Sequence, residues 1–253
     1  MPPVLSVNLN KVALLRNARL HGVPNVVKAA EAVLAAGAGG LTVHPRPDQR
    51  HIRPDDVRAL AKVARRARVE LNVEGNPFEG PREDGFPGYM ALVEEVRPAQ
   101  ATLVPDAEGQ LTSDHGFDPT VDTARLEPVV RRLKALGCRV SLFADANPAT
   151  VEGFSATGAD RVEIYTGPFA EAVWSGKGID QALDHCRLTA RRAREVGLGV
   201  NAGHDLDLEN LPLLARALKP NLQEVSIGHA LTADALWLGW TETIARYRAA
   251  LAG

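Results

Sequence analysis

The residues able to do chemistry in this chain are imidazoles and carboxylates, and they recur where short β-branched runs end. His44 follows GGLTV, Glu74 closes VELNVE, Glu163 lies within RVEIYTG, and NAGH and SIGH end on His204 and His229. An imidazole gives or takes a proton near neutrality, while a carboxyl set among lining side chains has a raised pKa and acts as a base. Six of the seven histidines (His21, His44, His51, His115, His204, His229) fall at the ends of such runs or in the segments after them, and only His185 falls in a helical stretch. This convergence, more than any one histidine, points to acid-base chemistry on a carbonyl compound.

The segment HPRPDQRHIRP adds Arg46 and His51 beside His44, a forked guanidinium donor next to a proton-transfer group, as anion binding requires. Arg50 and Arg53 in the same segment read as solvated loop residues. NAGHD and SIGHA each carry a Gly-His pair at the last two runs, where backbone N–H groups and a helix start bind phosphate in barrel enzymes. Glu74 also admits a structural ion pair with an arginine. Glu163, earlier in its run, is expected to have a fixed charge partner. Metal binding by His44, Glu74, His204 and His229, as in a metal-dependent barrel hydrolase or aldolase, is the alternative use of these groups. The first run reads NLN where zinc hydrolases often carry HxH, and HExxH is absent. No GxSxG turn occurs, and the lysine nearest the first strand end is Lys11.

Elements must bring these residues together. Eight runs recur (VLSVNLN, GGLTVHP, VELNVEG, QATLVP, RVSLFAD, RVEIYTG, LGVNAGH, EVSIGHA), separated by Ala-, Leu- and Arg-rich helical segments. Asn25, Asp55 and Thr123 are expected to open helices, and Gly137 and Gly197 to close them. The alternation predicts an α/β chain forming one (β/α)8 TIM barrel over residues 1–253, and GxGxxG, the mark of an open dinucleotide-binding sheet, is missing. Asn76 to Gly88 and Asp106 to Asp122 are the longest expected connections and candidate lids. The closing segment TADALWLGWTETIARYRAALA completes the outer ring and offers a surface to another subunit. Balanced charge, 29 Lys plus Arg against 31 Asp plus Glu, argues against nucleic acid as a partner. Cys138 and Cys186 form no CxxC pair, and the longest stretch without Asp, Glu, Lys or Arg runs only from Ala32 to Pro45. A cytoplasmic chain without a membrane segment is the expectation.

These residues, in this order, resemble the pyridoxine 5′-phosphate synthase family of the deoxyxylulose-dependent vitamin B6 pathway. The resemblance spans nearly the whole chain through VNLNKVALLRNAR, TVHPRPDQRHI, NVE, LVP, VSLFADA, VEIYTG, VNAGHDL and IGHA. It implies condensation of 3-amino-2-oxopropyl phosphate with 1-deoxy-D-xylulose 5-phosphate in a barrel without cofactor or metal, assembled as a homo-octamer. It further implies His44 and Glu74 as proton acceptors, His204 as proton donor and Glu163 as the group that stabilises a cationic transition state. Asn8, Arg19, Arg46, His51, Thr112, Gly228 and His229 match substrate and phosphate contacts. The chain departs from the family pattern at Asn10-Lys11, where Asp-His is common, at Asp205, where glycine is common, and in the long Asn76 to Gly88 connection.

Overall fold

Alternation within each of the eight runs decides which side chains face the helices and which face the barrel axis. In a computed structural model describing residues 3–19 and 21–252, the runs form β1 (Val4–Asn8), β2 (Gly40–Val43), β3 (Glu70–Gly75), β4 (Gln100–Leu103), β5 (Arg139–Ala144), β6 (Arg161–Tyr165), β7 (Gly199–Gly203) and β8 (Leu222–Ile227). Neighbours pair in parallel in chain order, and β1 pairs with β8 to close the barrel. The helices are α1 (Asn10–Asn17), α2 (Val26–Ala35), α3 (Pro54–Ala67), α4 (Tyr89–Val96), α5 (Pro119–Ala135), α6 (Val151–Ala156), α7 (Gly167–Ser175), α8 (Ile179–Glu195), α9 (Leu211–Leu218) and α10 (His229–Ala252).

The apolar half of each strand, including Leu5, Val7, Leu41, Val43, Leu71, Val73, Val162 and Ile164, is buried in one cluster with helix residues such as Leu60, Leu92, Leu126 and Leu214. Each such side chain contributes roughly 1.5–3 kcal/mol on burial, so the core that stabilises the fold lies between sheet and helices. The other half points inward and is polar. Ser6 Oγ and Thr42 Oγ1 share a hydrogen bond of 2.7 Å, and Thr102 donates to Asn72 at 2.9 Å. Gln100 reaches across the barrel to Glu224 at 3.4 Å, and Arg161 donates to Glu224 at 3.2 Å. The bulky branched filling usual in such barrels is absent from these positions.

Helix boundaries follow local chemistry. Asn25 caps α2 as expected, accepting from Lys28 N at 2.9 Å. Asp55 does not open α3: the helix starts at Pro54, and Asp56 accepts from the Arg53 N–H at 2.8 Å. Thr123 does not open α5 either, because Asp118 caps it by accepting from Thr120 N, leaving Thr123 to donate to the Pro119 carbonyl inside the first turn. Gly137 and Gly197 sit just past α5 and α8 at φ of +84° and +86°, the left-handed conformation that ends a helix cheaply only with glycine. α10 is broken at Gly239, φ +73°, and leaves Leu236 and Trp237 exposed.

Candidate active site

The strand ends meet around one cavity of about 390 Å³. Asn8 of β1, Glu74 of β3, Glu163 of β6 and Ser226 of β8 line it, together with His44, Arg46, Arg50, His51, Thr112, His204, Asp205, Gly228 and His229 from the segments after the strands. Of the residues singled out from the sequence, ten share this lining. Arg19 does not: it is exposed, just past the end of α1. His21 lies beyond α1 and is exposed, and His115, also exposed, pairs with Asp114.

His44 is fixed by its backbone, whose N–H donates to Asn10 Oδ1 at 2.9 Å; Asn10 in turn donates from its own N–H to Asn8 Oδ1 at 2.9 Å. Its ring is buried between two acids. Nδ1 lies 3.8 Å from Glu74 Oε2 and Nε2 lies 3.5 Å from Asp106 Oδ2. Burial and the nearby Arg46 hold the imidazole well below its ordinary pKa, so it is neutral and able to accept a proton.

Glu74 is surrounded by neutral donors rather than the arginine ion pair considered from sequence: Ser226 Oγ and Asn8 Nδ2 each donate at 3.4 Å, and Asn72 Nδ2 at 3.5 Å. Burial pushes its pKa up to about 8 despite the Ser226 contact, with Asp106 adding a like charge. Glu163 lacks the expected charge partner. Its pKa is raised well above its ordinary value by burial first, then by the like charges of Glu74 and Glu224. A Cβ on residue 203 would collide with Glu163 Oε1, which explains the glycine in NAGH.

His204 sits at φ +87°, with Nε2 2.8 Å from Thr112 Oγ1 and its ring edge-on to Tyr165 at 5.1 Å. Its Nδ1 lies 2.8 Å from Asp205 Oδ2, an ion-pair distance without hydrogen-bond alignment. His51 accepts from Ile52 N at 2.9 Å through Nδ1, which fixes the proton on Nε2. Burial, Arg46 and Arg50 lower its pKa to about 3, so its ring is neutral.

Cations gather at the loops. Arg50 is not a solvated loop residue: it donates to the carbonyls of Gln110 and Leu111 at 2.8 and 2.5 Å, pinning the long connection after β4, and it lines the cavity. Arg46 donates to Gln110 O at 3.2 Å and forms a buried ion pair with Asp106. Lys11 also lines the cavity, its pKa lowered by burial and by Arg50. From β8, which pairs with β1, α10 begins at His229 directly after Gly228, so unpaired first-turn N–H groups open on the same cavity. Gly228 leaves room for Asn8, whose Cβ would lie 3.0 Å from an added Cβ. Among the described residues, no group of three or more His, Cys, Asp or Glu stands where it could hold a metal ion. Sequence reasoning missed Asp106; it follows a proline in what reads as a turn.

Fold and site together define a (β/α)8 barrel enzyme with buried acids and imidazoles beneath a cationic rim. The chain belongs to the family described as Pyridoxal phosphate biosynthesis protein PdxJ, whose profile matches residues 5–253. It is 53% identical over 249 residues to a pyridoxine 5′-phosphate synthase of Xanthomonas campestris pv. campestris (strain B100), covering 98% of this chain and 96% of that one. A pyridoxine 5′-phosphate synthase of Xylella fastidiosa (strain M12) is 52% identical over 243 residues, covering 96% of this chain and 92% of its own. Among solved structures, a thiamine phosphate pyrophosphorylase from Pyrococcus furiosus superposes with a TM-score of 0.60 at 9% identity, over 98% of this chain and 95% of that chain, a likeness of fold alone.

Proposed function

We propose that this chain catalyses the ring-closing condensation of 3-amino-2-oxopropyl phosphate with 1-deoxy-D-xylulose 5-phosphate, giving pyridoxine 5′-phosphate, inorganic phosphate and water. The observation that carries this reading is one cavity holding two buried carboxyls of raised pKa, four imidazoles and a cationic rim. The amine attacks the ketone to form a carbon-nitrogen bond as an imine, protons leave carbon, phosphate and water depart, and one carbon-carbon bond closes the ring. Each step moves a proton, which favours several positioned acids and bases over one strong nucleophile.

In this reading His44 and Glu74 accept protons and His204 donates one. Glu163, whose pKa burial raises, ionises against a cationic amine or iminium, since an opposite charge at close range offsets that burial. Arg46 and His51 receive one phosphate; Gly228 and His229 at the start of α10 receive the other. Asn8 and Thr112 orient the substrates, and Arg19, outside the cavity lining, contributes only if its segment closes over them. The proposal extends to one barrel domain working without cofactor or metal, in the cytoplasm, as a homo-oligomer of octameric form.

The test is to mix the protein with both phosphorylated substrates, with and without a chelator. The expected result is a pyridine absorbance with release of inorganic phosphate, unchanged by the chelator. No product at high enzyme concentration refutes the reading, and chelator-sensitive turnover would favour the metal-dependent hydrolase or aldolase instead.

A further inference from the structure

Beside the substrate cavity lies a second chamber of about 220 Å³, walled by the connections after β3 and β4. Residues from Asn76 to Phe86 form its outer side, and Asp106 to Gly109 form another. His44, Arg46 and Arg50 line both spaces, whereas Glu74 lines only the substrate cavity and Asp106 only the chamber. His44 thus stands in the partition, Nδ1 toward Glu74 and Nε2 toward Asp106, at 3.8 and 3.5 Å. Asp106 is buried; its Oδ2 accepts from Ser113 Oγ at 3.0 Å and meets Arg46, while Oδ1 has no hydrogen-bond partner. A buried acceptor left unpaired is an unusual expense in a folded protein and calls for a proton or a water.

We infer that Glu74, His44 and Asp106 form a proton wire that empties the substrate cavity into the side chamber, with Asp106 the positioning residue that resets the base between steps. One transfer takes the Glu74 proton onto His44 Nδ1 while the Nε2 proton passes to Asp106 Oδ2. The products are the Glu74 carboxylate, a neutral imidazole with its proton moved, and a protonated Asp106 that releases the proton to water in the chamber. The apo separations are those of a relay that tightens when substrate seats. Such a wire answers a difficulty of the site: Glu74 is protonated at neutrality and must lose that proton before it can accept one from carbon. Asp106, whose pKa is raised by burial, is a suitable receiver. Arg46, Arg50 and His51 from the β2 side, Asp114 and His115 from the β4 side, Glu163 from β6 and Glu224 from β8 are the other charged or titratable groups that act on this line.

The inference rests on the synthase reading, and its test separates the two. Steady-state kcat and KM for both substrates are measured for the wild type, Asp106→Asn, Asp106→Ala and Asp106→Glu, with circular dichroism to verify folding. The wire predicts that Asp106→Asn loses kcat by at least about tenfold with KM changed less than about threefold, and that Asp106→Glu retains most of kcat. Formate, small enough for the chamber, restores kcat to Asp106→Ala in a saturable way. A rise in KM alone, or Ala turnover indifferent to formate, would show that Asp106 merely holds Arg46 and would overturn the wire. If Asn and Ala do not fold, Asp106→Glu decides: kcat kept within about threefold, with its solvent deuterium isotope effect preserved, supports the wire, and kcat lost by about tenfold or more in a folded Glu variant with KM unchanged overturns it. An inert wild type defeats the synthase reading and the wire together; an active wild type with unaffected variants defeats the wire alone.

Discussion

Replacing Glu74 with glutamine should make the protein more stable in alkaline solution, by an amount set by the burial of this one carboxyl. In the folded chain Glu74 keeps its proton to about pH 8, against 4.5 for the free group. The folded state therefore binds more protons than the unfolded state within that window, so stability falls as pH rises through it and levels off above the folded pKa. Each pH unit inside the window costs about 1.4 kcal/mol, hence about 3 kcal/mol between roughly pH 5 and 7.5. Glutamine keeps the shape and carries no proton to lose. Any change it makes to the contacts with Asn8, Asn72 and Ser226 is a constant offset, independent of pH. The measurable quantity is thus the difference between variant and wild type as a function of pH. In thermal unfolding it should grow by roughly 6–12 °C over that range, at about 2–4 °C per kcal/mol for a chain of this size. Denaturation at half-unit pH steps checks it. A difference that stays flat with pH would show that Glu74 is ionised in the folded protein, and the reasoning on which both the base and the wire depend would fail.

The same carboxyl and its neighbours give further tests. His44→Ala and Glu74→Gln should each lower kcat by on the order of 10² or more while both substrates still bind, as measured by turnover beside direct binding. Arg46→Ala should raise KM for a phosphorylated substrate and, by leaving Asp106 buried without its cation, destabilise the fold by about 3 kcal/mol in denaturant titration. Gly203→Ala should drive the Glu163 carboxyl from its place and cost about 1–3 kcal/mol with loss of kcat; unchanged stability would show that β7 yields to the methyl group. His51 should show no protonation in imidazole NMR titration from about pH 5 upward, because its pKa lies near 3.

What was legible in the sequence was what strand periodicity exposes. His44, Glu74, His204 and His229 end or follow β-branched runs, and a closed parallel barrel sends all such ends to one rim. Three features escaped for separate reasons. Ser6, Thr42, Asn72, Thr102 and Ser226 alternate with apolar residues, a pattern that ordinarily signals a water-facing side; closure of the sheet turns that side inward, and alternation alone does not report closure. Arg50 lies in a proline-stiffened basic loop and reads as solvated, but its carbonyl acceptors come from Gln110 and Leu111, sixty and sixty-one positions onward. Asp106 follows Val104-Pro105 and resembles a turn former, and only the folded chain sets it against His44.

The polar barrel interior and the cationic rim act together to orient substrate. Lys11, Arg46 and Arg50 stand near one another at the loops, and burial, with their mutual repulsion, lowers the pKa values of Lys11 and Arg46. An arriving phosphate dianion relieves that repulsion at the rim. Below it, burial and neighbouring carboxylates raise the pKa values of Glu74 and Glu163, so a cationic nitrogen is the partner that lowers the energy of their charged forms most. A molecule with phosphate at one end and an amine at the other therefore finds one favourable direction, phosphate outward and amine inward. In the proposed reaction the amine would thereby reach the depth of the acids before any proton moves.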